Sequence, residues 1–184
     1  MSDPAEHLCR QAQAGDRAAA SELVGHFYER MFAFLRRQCG NDEDAADLTQ
    51  KTFAKAWASL DSYQGRSSFS TWLHGVAHHV CADWRRQRNP AESQSDEWWA
   101  ACAAPTPSPF DDIAERDAAH RLYTLVEQLD DEARLTVHLH YYQGLTLAET
   151  AEVFGVAAST VKYRLRGALE LLRSRMADPK RPVH

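Results

Sequence analysis

Apolar residues along this chain recur at helical spacing. Between Ala18 and Gln38, the residues Leu23, Phe27, Met31, Phe34 and Leu35 advance by the steps that keep side chains on one α-helical face. Gly40 predicts the end of that helix, and Asn41 can cap the next one. Asp42, Glu43, Asp44 and Asp47 crowd the first turns of the new helix, where the backbone dipole favours acids. Leu48, Phe53, Ala56, Trp57 and Leu60 supply its apolar positions. A polar loop, Asp61 to Ser68, leads to a further helix from about Phe69 to Arg88, with Trp72, Val76, Val80 and Trp84 at intervals of four. In the second half Leu122, Leu125, Val126 and Leu129 make one stripe, and Leu135, Leu139 and Tyr142 another. No stretch alternates as a half-buried strand would, so the pattern predicts an all-α chain.

The clearest local signal is Thr146 to Arg175. Thr146 and Glu149 have the spacing of a capping box, Gly155 breaks the helix they start, and a second helix runs from about Ala158. Val161, Leu165, Ala168, Leu169, Leu172 and Met176 fall on one face of it, leaving Lys162, Tyr163, Arg164 and Arg166 outward near its start. A short helix, a glycine turn and a second helix with basic exposed first turns is the form in which a helix-turn-helix meets a DNA major groove. An ordinary helical hairpin with a solvated basic face is the competing interpretation.

Between the helical halves lie Pro90, Pro105, Pro107 and Pro109, a density that opposes regular structure. The predicted organisation is two small helical domains, an N-terminal bundle (1–89) and a C-terminal helix-turn-helix domain (113–184), joined by a flexible acidic linker (90–112) on which they move independently. Trp98 and Trp99 are unusual for a pure spacer and receive no role from the sequence.

Charge sharpens this picture. The formal net charge of −5 argues against a general nucleic-acid coat, but it is segregated. Asn89 to Glu115 has acids and no Lys or Arg, whereas Lys162 to Arg175 carries Lys162, Arg164, Arg166, Arg173 and Arg175 against Glu170 alone. Cys9, Cys39, Cys81 and Cys102 form no CxxC pair, and with no signal peptide they read as cytosolic thiols. No apolar run reaches the roughly 20 residues needed to span a bilayer, so a cytoplasmic protein without membrane insertion is expected. His74, His78, His79 and Cys81 suggest zinc, but one helix face cannot supply a closed tetrahedral set; His138 and His140 point to opposite faces. No catalytic motif stands out, and the chain is read as neither an enzyme nor a cofactor binder.

Two blocks then resemble a known family. Asp42 to Arg88, DEDAADLTQKTFAKAWASLDSYQGRSSFSTWLHGVAHHVCADWRRQR, is similar to the second conserved region of bacterial sigma factors of the extracytoplasmic-function (ECF) group within the sigma-70 family. Leu129 to Arg173 is similar to the fourth region. The likeness extends to Ala14–Asp16 and the helix that follows. It implies an alternative sigma factor that binds core RNA polymerase, directs it to specific promoters and helps melt the −10 element. The implied polymerase-binding residues are Asp47, Leu48, Gln50, Lys51 and Phe53, docking on the clamp helices of the largest subunit; Lys51 stands where members commonly carry an acid. Ser67, Ser68, Phe69, His79, Asp83 and Arg86 would meet the −10 element, with Ser67, Asp83 and Arg86 the best candidates for direct contact. Arg85 and Arg88 offer further phosphate contacts. Trp72 and Trp84 lie on the apolar stripe and suit the core better than base stacking. Ala158, Ser159, Lys162, Tyr163 and Arg166 would read the −35 element, with a second polymerase contact at the flap on that side. In the family the linker threads the channel that later holds RNA, and an acidic segment suits a channel built for a polyanion. An anti-sigma factor is a further implied partner. The rival function is a stand-alone helix-turn-helix regulator of duplex DNA.

Overall fold

The computed structural model describes residues 4–88 and 113–177, and the linker 90–112 with Trp98 and Trp99 lies outside them. The described residues contain helices and turns and no strand. In the first unit, α1 is Pro4–Gln13, α2 is Arg17–Cys39, α3 is Asp42–Ala58 and α4 is Phe69–Arg88. A 3₁₀ turn, Leu60–Ser62, precedes the α3–α4 loop. In the second unit, α5 is Ile113–Glu127, α6 is Asp131–Val137, α7 is Leu147–Phe154 and α8 is Ala158–Ala177.

Local chemistry accounts for the boundaries. Asp16 accepts from the amides of Ala18 and Ala19 to start α2. Gly40 ends α2 at φ 81, a left-handed geometry costly for other residues, and Asn41 accepts from the Asp44 amide to start α3. At α7 the capping box forms in both directions: Thr146 Oγ1 accepts from the Glu149 amide, and Glu149 Oε2 accepts from the Thr146 amide at 2.8 Å. Gly155 then turns the chain at φ 66.

The α2 stripe behaves as expected: Leu23, Phe27, Met31, Phe34 and Leu35 are buried against α3 and α4. Leu48 and Phe69 belong to the same core. Leu48 is 1% exposed, and Phe69, at 2%, meets the Tyr63 ring edge-on and the Phe27 and Trp72 rings at a tilt. Both are apolar positions of amphipathic helices, and in this structure their faces turn inward, so of the residues expected to make contacts these two are buried. Trp72 and Trp84 are half-buried and pack on this core, as the stripe implied.

The C-terminal unit has its own core of Val126, Leu129, Ala133, Val137, Leu165, Ala168 and Leu172. Leu135, Leu139, Leu145 and Val153 do not join it. They are buried in the N-terminal core, so the two units are packed together rather than separate. The helix α6 continues as a π turn, His138–Tyr142, in which the Gln143 amide bonds the His138 carbonyl at 3.0 Å. The wider turn breaks the expected Leu135–Leu139–Tyr142 stripe. Leu139 enters the core at 0% exposure, while Tyr142 stays outside under the Arg37 guanidinium, 4.3 Å from its ring centroid.

Candidate nucleic-acid and polymerase interfaces

The outer face of α3 presents Asp47, Gln50 and Lys51 to solvent. Lys51 Nζ donates to Asp47 one turn earlier at 2.6 Å, so the basic residue partly covers an acid that the family resemblance assigns to docking. Both side chains are more than half exposed, and this pairing is weak and screened by salt. Phe53, 8% exposed, stacks on the half-exposed Tyr28, which in turn stacks on Phe32. The sequence does not single out Tyr28, because it sits off the α2 stripe. An acidic and amide-bearing ridge beside an aromatic edge has the mixed character of a protein interface.

The loop before α4 is held from inside. Tyr63 Oη donates to the Ser67 carbonyl at 2.8 Å, and Ser68 Oγ accepts from the Thr71 amide at 3.1 Å, capping α4. Ser67 and Ser68 are half-buried. Farther along α4, His79 and Arg86 are exposed. Asp83 lies between two cations: Lys55 Nζ donates to it at 2.9 Å, and Arg86 bonds its other oxygen. The Lys55 hydrogen bond and charge, then Arg86, hold the Asp83 carboxyl below the usual carboxylate range, so it is an ionised acceptor. At the end of α4, Arg88 pairs with Asp44, and Arg85 donates to Gln38 at 2.8 Å.

Ala158, Ser159, Lys162, Tyr163 and Arg166 are all exposed on the first half of α8. Lys162, Tyr163, Arg166 and Arg173 line a shallow open groove there. Tyr163 is 69% exposed, and the Arg166 guanidinium lies 5.5 Å from its ring centroid. Opposite this face Val161 and Leu165 are buried. Arg164 departs from the outward reading, bonding Glu132 at 2.6 Å with 22% of its side chain exposed.

Further charges are buried where no motif pointed. Arg134 is 1% exposed and bonds Asp131 at 2.5 Å and the Glu127 carbonyl at 3.3 Å. His138, fully buried, lies 3.2 Å from Glu127. Burial pushes the His138 pKa down, against the opposing pull of Glu127. These groups brace α5 against α6. Among the described residues no three His, Cys, Asp or Glu side chains are grouped to hold a metal ion. Cys9, Cys39 and Cys81 are buried thiols, and burial pushes that of Cys81 up to about 12, well above the range of a reactive thiolate. No described helix is long and apolar enough to cross a membrane.

Comparison with known proteins decides the family. Residues 23–90 match Sigma-70 region 2, and residues 125–174 match Sigma-70 region 4. The chain belongs to the ECF sigma factors. The ECF RNA polymerase sigma factor SigW of Bacillus subtilis is 25% identical over 92% of this chain and 95% of its own length. SigE of Mycolicibacterium smegmatis is 30% identical over 89% of this chain and 65% of its own length. Two solved structures share the fold. CnrH in complex with the cytosolic domain of CnrY aligns at TM-score 0.69 and 24% identity, over 96% of this chain and 99% of that one. The sigma factor RpoE of Bartonella quintana, solved with the anti-sigma factor NepR, aligns at 0.67 and 20% identity, over 88% and 98%. In this sigma factor the region 2 match holds α3, the loop and α4, and the region 4 match holds the capping box and α8.

Proposed function

We propose that this ECF sigma factor directs core RNA polymerase to promoters through three surfaces with separate tasks. The exposed ridge Asp47, Gln50 and Lys51 with the edge of Phe53 and Tyr28 docks on the clamp helices of the largest subunit. Ser67, Ser68, His79, Asp83 and Arg86 hold the opened −10 strand: an ionised Asp83 accepts from a base amino group, and Arg86 neutralises phosphate. Ala158, Ser159, Lys162, Tyr163 and Arg166 enter the −35 major groove. Leu48 and Phe69 set the positions of these groups from inside the core. The part played by the sigma factor is non-catalytic; bond formation belongs to the polymerase. The domain assignment follows: 1–89 for docking and melting, 113–184 for the −35 element and the nearby flap, 90–112 as the connection. An anti-sigma factor is the proposed regulator, on the likeness to sigma factors solved with such partners.

The observation that carries this reading is the pairing of both regions, in order, with exposed polar groups on each of α3, α4 and α8. A stand-alone regulator would use the α8 face alone and would leave the α3 ridge and the α4 loop without a task. Run-off transcription with core polymerase on genomic fragments tests it. Start sites that appear only when the chain is added support the reading; retention of duplex DNA with no transcription on any fragment refutes it.

A further inference from the structure

The helix α1 lies before the region 2 match, which begins at residue 23, and none of the three proposed surfaces lies on it. It is nevertheless well anchored: Ala5 and Cys9 are buried in the N-terminal core, and Leu8 and Ala12 pack against that core. Its last residue, Gln13, reaches across to the start of the α3–α4 loop. Gln13 Nε2 donates to the Leu60 carbonyl and to the Tyr63 carbonyl, both at 2.9 Å. A side-chain amide nitrogen carries two hydrogens, one for each carbonyl, so Gln13 spans the 3₁₀ turn Leu60–Ser62. These bonds join residues 47 and 50 positions apart. Tyr63 passes the constraint on. Its buried ring packs on Phe69 and Trp72, with centroids 5.7 and 5.4 Å away, and its Oη donates to the Ser67 carbonyl at 2.8 Å. That bond closes the loop on itself and leaves Gln64, Gly65 and Arg66 as an exposed tip. Gly65 takes φ 67, the left-handed geometry that lets the tip turn back.

We propose that Gln13 and Tyr63 are positioning residues for promoter opening: they hold the α3–α4 loop in one shape, so that Ser67 and Ser68 meet the opened −10 strand without the loop first having to be ordered. A loop free to move loses backbone freedom when a strand binds, and that loss is subtracted from the affinity. Bracing from α1 and from the Tyr63 ring removes it in advance. Neither side chain needs to touch DNA, because each acts on main-chain carbonyls. The role rests on the −10 assignment of Ser67 and Ser68 proposed above; the bracing of the loop does not.

The test uses the full chain with core polymerase on a promoter mapped by run-off transcription. Gln13→Met removes both donors at similar length, and Tyr63→Phe removes only the hydroxyl. Gln13→Lys returns a donor with three hydrogens. Gln11→Lys in the Gln13→Met chain adds the same charge at an exposed position of α1 without the donor. Permanganate reactivity at the −10 element reads opening, anisotropy with core polymerase reads docking, and hydrogen exchange of amides 64–68 in the free chain reads loop order. Four results together support the role: faster exchange in Gln13→Met and Tyr63→Phe, reactivity lowered about fivefold in each, as loss of one net hydrogen bond gives, unchanged polymerase affinity, and restoration of exchange and reactivity by Gln13→Lys. Exchange at the parental rate in both variants overturns the proposal. Faster exchange with parental reactivity, while Asp83→Ala opens the promoter poorly, also overturns it and leaves the −10 assignment standing. Parental reactivity in every variant, Asp83→Ala and Ser67→Ala included, refutes the −10 assignment and the positioning role with it. A defect confined to Gln13→Met, or restored equally by Gln11→Lys, overturns the role too. If Gln13→Met loses helicity or polymerase affinity, Tyr63→Phe decides by the same two readings.

Discussion

Lys55 on α3 donates to Asp83 on α4 at 2.9 Å, so the helix assigned to polymerase and the helix assigned to the opened strand share an ion pair. The pair is exposed and adds little to stability, but it fixes where the Asp83 carboxylate points. Asp83→Ala is expected to reduce promoter opening while leaving polymerase affinity unchanged, and Ser67→Ala to have a weaker effect in the same direction. Permanganate reactivity of unpaired thymines in the holoenzyme complex measures this. Equal reactivity in parent and Asp83→Ala complexes would remove Asp83 from the strand-holding set.

Exposure separates the proposed docking residues on α3 from their buried neighbours. Asp47→Ala with Gln50→Ala is expected to weaken core polymerase binding without lowering the melting temperature. Leu48→Ala is expected to destabilise the fold by about 2–5 kcal/mol through the cavity it leaves. Fluorescence anisotropy of labelled sigma factor with core polymerase, beside urea denaturation, distinguishes the two. A double variant that binds like the parent contradicts the docking assignment.

On α8, Lys162 and Arg166 share an exposed face one turn apart. Arg166 can make a bidentate pair with a guanine edge that the point charge of lysine cannot. Arg166→Ala is expected to cost about 1–3 kcal/mol and relax specificity at one base pair of the −35 duplex. Lys162→Ala is expected to weaken all sequences alike and lower the salt slope by about one. Holoenzyme titrations against single-base variants at several salt concentrations check both, and the reverse pattern would exchange the two roles.

Three buried or half-buried histidines make stability depend on pH. Burial lowers the pKa of His74, with Arg30 adding to the effect and bonds to Ser70 and Gln143 opposing it. It lowers that of His78, reinforced by His79 and Arg85, and that of His138 despite Glu127, with Arg37 and Arg134 reinforcing. A group whose pKa falls on folding binds its proton more tightly in the unfolded chain. The stability it contributes is therefore complete above the ordinary value of 6.5 and is lost as pH falls below it. The denaturation midpoint is expected to drop from about pH 7.5 to about pH 5.5, and His74→Gln to flatten the slope. A midpoint constant over that range would contradict the burial of these rings.

Helices and their ends were legible in the sequence because local chemistry sets them: the Thr146–Glu149 box, the Asn41 cap and the Gly40 and Gly155 turns all act within a few residues. The α8 face was legible for the same reason, since a basic row opposite Val161 and Leu165 needs no distant partner. The burial of Leu48 and Phe69 was not legible from the motif, which marks residues without telling an exposed position from a buried one. The π turn and the buried Arg134, Glu127 and His138 left no periodic trace. The Thr71–Glu149 bond joins residues 78 positions apart, and nothing local in either segment announces it.

That separation has a consequence during synthesis. The N-terminal bundle is complete once Arg88 has left the ribosome, but the residues that cover its outer face extend to Val153. At about 5–20 residues per second, the growing chain carries this face uncovered for roughly 3–13 seconds. A nascent sigma factor is then a half-built bundle with a bare apolar side, open to chaperones, to early polymerase docking through α3, or to aggregation, before its own C-terminal end arrives to shield it.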